Sequence, residues 1–192
     1  MLYIRHRINT VKDLKTVPEN MGIELDLRYK NNDLILQHDP FTDGEYFEDL
    51  LKEYKHSFMV LNIKSEGIED ETLRLLNKYD IRNYFFLDVS FPVLIRLSKN
   101  GEKNIAARFS EYEPIEQCLC LKGFVNWVWV DCFNKIPDDE KSYKEIKKHF
   151  KVCIVSPELQ KRSLEEIPKV KMILKQYNID AICTKSPELW GI

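Results

Sequence analysis

Glu24 and Asp26 stand one residue apart in the run Gly22-Ile23-Glu24-Leu25-Asp26-Leu27-Arg28, and His38 follows in Leu34-Ile35-Leu36-Gln37-His38-Asp39-Pro40. Successive side chains of an extended chain leave opposite faces. Ile23, Leu25 and Leu27 therefore share one face, and Glu24, Asp26 and Arg28 the other. Two carboxylates side by side, with an imidazole near them, can hold a divalent cation and move a proton beside it. The same spacing also fits the solvated outer face of an amphipathic strand with a histidine in its turn.

The elements around this pair follow from patterning. Lys30-Asn31-Asn32-Asp33 reads as a turn, because Asn and Asp accept left-handed backbone and bond their own chain. The residues after it run back as a second extended piece carrying His38. Apolar runs predict strands at 2–6, 22–28, 58–63, 84–89, 104–109, 124–130, 151–155 and 179–183. Helical spacing predicts helices over 44–56, around Leu73, Leu76 and Tyr79, and over 92–99, 114–121, 142–150 and 164–177. Pro168 fits the last of these only near a first turn. Strand–helix repeats demand right-handed parallel crossovers. Eight strands predict a compact (β/α)8 TIM barrel, with a short hairpin extension after the second strand, as one domain over residues 1–192; a doubly wound open sheet is the runner-up.

The totals exclude several classes. A 192-residue chain with 44% hydrophobic and 31% charged residues reads as one soluble globular domain. A net charge of −2 argues against a nucleic-acid footprint, while leaving room for a local anion site. No apolar run is long enough to span a bilayer and the start lacks a signal-peptide core, so a cytoplasmic protein is expected. The pattern says nothing of oligomeric state. Cys118, Cys120, Cys132, Cys153 and Cys183 have no metal-site spacing and read as small packed hydrophobes. Trp127 and Trp129 read as packing aromatics, and His56 and His149 as surface residues.

In a barrel, chemistry gathers at the carboxyl ends of the strands. Those ends carry His6-Arg7, Glu24 and Asp26, Asn62 and Lys64, Asp88 and Ser90, Arg108, Asp131, Ser156 to Glu158, and Thr184-Lys185. Carboxylates alternating with cations fit a site that holds a metal and an anion together.

On His6-Arg7, Glu19-Asn20, Glu24-Leu25-Asp26, His38-Asp39-Pro40 and Asn62-Ile63-Lys64, the chain resembles the glycerophosphodiester phosphodiesterase family, among the wider phosphatidylinositol phospholipase C-like barrels. The motif agreement is concentrated in residues 6–64. The resemblance implies that Glu24, Asp26 and the residue at position 62 bind a divalent cation, Mg²⁺ or Ca²⁺. It implies that His6 and His38 form the acid–base pair, and that Arg7 and Lys64 hold the phosphoryl oxygens of a small phosphodiester. Two positions depart from the pattern. Ile8 stands where the family has glycine after His-Arg, and Asn62 stands where it has a third metal carboxylate. Glu66 or Asp131 would be the candidates to compensate. Late in the chain, Thr184-Lys185-Ser186-Pro187 resembles the family's Thr-Asp-x-Pro with lysine for aspartate. These departures favour an alternative in which the barrel binds a phosphorylated sugar or lipid headgroup without turnover. A sugar-phosphate isomerase or aldolase is a third, weaker reading.

Overall fold

The computed structural model describes residues 1–137 and 140–191. Its contacts divide the chain into two compact units, Ile4–Arg96 and Met1–Tyr3 with Leu97–Ile192.

The first unit is built on the acidic strand. The last two residues of β1 (Leu2–Arg5), with α1 (Val11–Leu14), precede β2 (Gly22–Lys30), which turns into antiparallel β3 (Asp33–Leu36) and two-residue β4 (Glu45–Tyr46). After α2 (Phe47–Glu53), β5 (Phe58–Ile63), α3 (Glu69–Lys78), β6 (Tyr84–Leu87) and α4 (Phe91–Lys99) complete it. β1, β2, β5 and β6 are parallel neighbours, with Asp26 opposite Asn62 across β2 and β5. Ile23, Leu25 and Leu27 are buried on one face of β2, as alternation requires. The other face is buried too: Glu24 is 1% exposed and Asp26 fully enclosed. That excludes the solvated outer face as an account of this strand.

Glycine is required where backbones approach. A Cβ on Gly44 would lie 2.2 Å from the Leu36 carbonyl oxygen, so only glycine lets the chain from β3 to β4 close this tightly.

The second unit is a run of parallel strands in sequence order: β7 (Ala106–Phe109), β8 (Trp127–Val130), β9 (Lys151–Val155) and β10 (Ala181–Thr184). Between and after them lie α5 (Ile115–Leu119), α6 (Glu140–Lys147), α7 (Ile167–Leu174) and α8 (Pro187–Trp190). Several elements are shorter than patterning predicts. The helix expected over 44–56 begins at Phe47, because β4 takes the two residues before it. The one expected over 164–177 splits into a 3₁₀ turn, Leu164–Glu166, and α7, with Pro168 in the first turn of α7, where its missing N–H costs nothing.

Trp127 and Trp129 are buried, and four of the five cysteines are enclosed, with Cys120 exposed. His149 is exposed as expected. His56 is not: it is half-buried, and its Nε2 lies 2.9 Å from the Val17 carbonyl oxygen. Among the described residues, no helix is long and apolar enough to cross a membrane.

Candidate active site

The motif residues between positions 6 and 64 lie in the first unit, and Thr184-Lys185-Ser186-Pro187 lies in the second. At the end of β1 the chain turns sharply, with Arg7 in the left-handed region at φ 57°. A non-glycine residue there costs on the order of 1 kcal/mol. The turn directs two successive N–H groups onto Glu24: Arg7 N donates to Oε2 at 2.7 Å, and Ile8 N to the backbone carbonyl at 2.7 Å. The left-handed residue is thus Arg7, and Ile8 needs no glycine. Its side chain is buried, so the departure at position 8 serves packing. Thr10 then caps α1, its hydroxyl oxygen accepting from Asp13 N at 2.9 Å, which anchors the segment bearing residues 6–9.

His6 Nε2 approaches Glu24 Oε2 at 3.7 Å, and Arg7 Nε lies 3.6 Å from Asp26 Oδ2. Lys64, just past the end of β5, brings Nζ to 3.8 Å from Asp26 Oδ1 and 3.3 Å from Asp88 Oδ2. Asn62 Nδ2 donates to Glu24 Oε1 at 3.0 Å. Six of the seven predicted site residues, His6, Arg7, Glu24, Asp26, Asn62 and Lys64, therefore form one connected cluster. Burial is the main cause that pushes the Glu24 carboxyl up to about 7; the Asp26 charge adds to it, and the bonds from Asn62 and Arg7 oppose it.

His38, the seventh, lies on the segment after β3. Its Nδ1 is 2.7 Å from Asp39 Oδ1. A carboxylate can only accept, so Nδ1–H donates and Nε2 is left to handle a proton. The bond from His38 is the largest cause holding the Asp39 carboxyl below the usual range, and the charges of Arg7 and Arg28 act the same way. The His38 ring thus engages Asp39, and no bond from it to the β2 carboxylates is found among the described residues.

Three side chains in this cluster had no assigned role in the sequence reading. Asn9 bonds Asp26 twice, Arg28 bonds the backbone of His38 and Lys64, and Asp88 receives Lys64 from the end of β6, with its own backbone left-handed at φ 60°. Arg28 carried a signal, since it shares the face of Glu24 and Asp26. Of the two proposed substitutes for a third carboxylate, Glu66 is exposed and accepts from Ser90 Oγ, while Asp131, in the second unit, pairs with Arg108 and accepts from Gln160 Nε2.

The donor set can be tested against a cation. Because the amide nitrogen of Asn62 faces Glu24, its carbonyl oxygen points elsewhere. Asn62 Oδ1 and Asp26 Oδ1 are both buried without a hydrogen-bond partner. Two such oxygens on paired residues, beside a carboxyl whose ionised form is disfavoured by burial and by its neighbour's charge, fit a hard oxygen-seeking cation. Among the described residues, no three His, Cys, Asp or Glu side chains are grouped to hold a metal ion; the protein donors to a cation here are two carboxylates and one amide oxygen, and the rest of its shell would have to come from solvent or substrate.

At the strand ends of the second unit, polar groups satisfy one another. Glu158 accepts from Thr184 Oγ1 at 2.6 Å, from Lys185 N at 2.9 Å and from Ser156 Oγ, while Trp190 Nε1 donates to that same hydroxyl at 3.0 Å.

Comparison with solved structures identifies the class of fold: mixed α/β, of the TIM-barrel type. A glycerophosphodiester phosphodiesterase from Agrobacterium tumefaciens superposes with a TM-score of 0.71 at 11% identity, covering 100% of both chains. A glycerophosphoryl diester phosphodiesterase from Parabacteroides distasonis gives 0.65 at 14%, covering 98% of this chain and 84% of that one. A mutant tryptophan synthase α-subunit from Pyrococcus furiosus gives 0.61 at 15%, covering 98% and 88%. Likeness at such identities defines the fold and leaves the activity to the site. No family model matches the sequence, and no curated protein does.

Proposed function

We propose that this chain is a phosphodiester hydrolase of the glycerophosphodiester phosphodiesterase type, acting on a small phosphodiester in the cytoplasm. The observation that carries the reading is the cluster in which one imidazole lies 3.7 Å from a buried carboxylate and two cations lie 3.6 and 3.8 Å from the next. Neighbours of like fold that are phosphodiesterases support it at the level of reaction class.

In this reading Arg7 and Lys64 hold the non-bridging phosphoryl oxygens. Charges aimed at the phosphoryl oxygens are the largest catalytic contribution to such a transfer. His6 takes a proton from the attacking water as its oxygen bonds to phosphorus, and the Glu24 carboxylate beside it stabilises the imidazolium that forms. His38, its Nδ1 held by Asp39, gives the Nε2 proton to the departing alkoxide as the P–O bond breaks. Glu24, Asp26 and the Asn62 carbonyl would hold Mg²⁺ or Ca²⁺, whose charge when bound would offset that of the phosphoryl oxygens.

The test is hydrolysis of glycerophosphodiesters and bis(p-nitrophenyl) phosphate with Mg²⁺, Ca²⁺ or Mn²⁺. Asp26→Ala and His38→Ala are each expected to lower kcat/KM on a glycerophosphodiester by about 10²- to 10⁴-fold. Activity unchanged in both would remove the mechanism. A second reading, binding without turnover, is favoured by one observation: Asn62 offers Glu24 a donor in place of a third negative ligand. Calorimetry followed by recovery of the ligand separates the two, because an enzyme consumes the diester and a binding module returns it intact.

A further inference from the structure

Arg28 shares the face of β2 with Glu24 and Asp26, yet its guanidinium is directed at the backbone of two other residues. Nε and Nη2 donate to the carbonyl oxygen of His38 at 3.2 and 2.7 Å, and Nη1 donates to the carbonyl oxygen of Lys64 at 2.9 Å. Those carbonyls belong to different elements, the segment after β3 and the end of β5. The guanidinium is planar, with its N–H directions set by the fork, so satisfying both carbonyls at once fixes one against the other.

The other bonds of the His38 segment do not do this. Gln37 Nε2 donates to the Asp43 carbonyl at 2.8 Å, Thr42 Oγ1 to the Asp39 carbonyl at 2.8 Å, and Asp39 N to Gln37 Oε1 at 3.2 Å. All three tie the segment to itself, and the Lys30–Asp43 ion pair ties it to the end of β2 without reaching β5. Gln37 N reaches the Asp26 carbonyl at 3.0 Å, on β2, one residue short of His38. On the other side, Lys64 N donates to the Leu27 carbonyl at 2.9 Å. Arg28 is the side chain that spans from one to the other. Both contacts use neutral carbonyls, so the charge of Arg28 also acts on its surroundings, and Asp39 responds to it.

We propose that Arg28 is a positioning residue that sets His38 relative to Lys64, so that one guanidinium holds the proton-donating residue in register with the phosphate-holding one. The catalytic half of this statement rests on the roles proposed above for those two residues; the positional half does not.

Arg28→Lys keeps the charge and removes the fork, and Arg28→Gln, which can serve one carbonyl, is the second variant should the first not fold. Two readouts apply to either. The first compares kcat/KM for bis(p-nitrophenyl) phosphate, whose leaving group needs no proton, with that for a glycerophosphodiester, whose alkoxide does. A displaced His38 is expected to cost about 100-fold on the alkoxide substrate and far less on the nitrophenyl one. The second is backbone and ring mobility of residues 37–43 by NMR, expected to rise while the urea midpoint stays near that of the parent. Equal losses on both substrates, or a segment as ordered as before, overturns the proposal. If the parent protein hydrolyses neither substrate, the proposed reaction fails, and the NMR readout alone decides whether Arg28 holds the segment.

Discussion

Asn9 grips Asp26 at two points: its Oδ1 accepts from the Asp26 backbone N–H at 2.9 Å, and its Nδ2 donates to Asp26 Oδ2 at 2.9 Å. One amide thus fixes both the strand position and the carboxylate rotamer of a fully buried acid, and it decides which oxygen is left facing Lys64. Asn9→Ala leaves the Asp26 N–H without that partner and is expected to cost about 1–3 kcal/mol in urea unfolding. Asn9→Asp sets a carboxylate against a carboxylate and is expected to be worse still near neutral pH, recovering as pH falls and the new acid protonates.

Glu24 gives the pH dependence its sign. Unfolded, its carboxyl titrates near 4.5; folded, burial and Asp26 raise it to about 7. Between those values the folded state binds the extra proton. The stability from this group is full below about pH 4.5 and is lost as pH rises through 7, amounting to about 3 kcal/mol. Glu24→Gln removes that titration. The variant is therefore expected to be more stable than the parent at pH 8 without added cation, an advantage that fades toward pH 5, as urea midpoints at the two values will report. A parent that is equally stable at both values contradicts the assignment.

In the proposed cation site, Asn62 supplies a neutral oxygen where a carboxylate would bind more tightly. Asn62→Asp keeps the length of the side chain, removes the donor to Glu24 and adds a third negative oxygen donor beside Asp26. The variant is expected to be less stable than the parent in chelator, through like-charge repulsion. Its affinity for Ca²⁺ or Mg²⁺ is expected to rise about tenfold, roughly 1.4 kcal/mol. Thermal midpoints with and without millimolar cation measure this directly, because a ligand that binds only the folded state raises the midpoint.

Gly44 tests the packing of the His38 segment from outside the site. Adding a methyl group there drives a Cβ into the Leu36 carbonyl oxygen. Gly44→Ala is expected to cost about 1–3 kcal/mol, read as a lowered urea midpoint.

Much of this arrangement was legible in the sequence because strand alternation is rigid. A Glu-x-Asp pair in an alternating run must share a face, and Asn62 and Lys64 are legible as polar residues at the end of an apolar strand. What alternation does not reveal is whether that face is wet or dry. Here both faces of β2 are covered, and the buried carboxylates follow from that tertiary fact. Asn9 was overlooked because its grip on Asp26 depends on how the chain after β1 folds back across β2, and no local pattern encodes that approach. The left-handed turn at Arg7 went unforeseen for a related reason. The residue type expected to turn the chain is glycine, and the structure turns one position earlier, where two bonds to Glu24 offset the strain. Asp88 was visible at a strand end, but its pairing with Lys64 needed β5 and β6 to be set side by side.

Turnover at the cluster of His6, Glu24, Asp26 and Lys64 decides between the proposed phosphodiesterase and a binding module. The most direct measurement is a ³¹P NMR time course of a glycerophosphodiester incubated with the protein and Mg²⁺ or Ca²⁺, beside the Asp26→Ala variant. The predicted result is conversion of the diester resonance to a phosphomonoester resonance by the parent and its near-absence in the variant. A diester resonance undiminished over hours in the parent, or consumed equally by the variant, would contradict it.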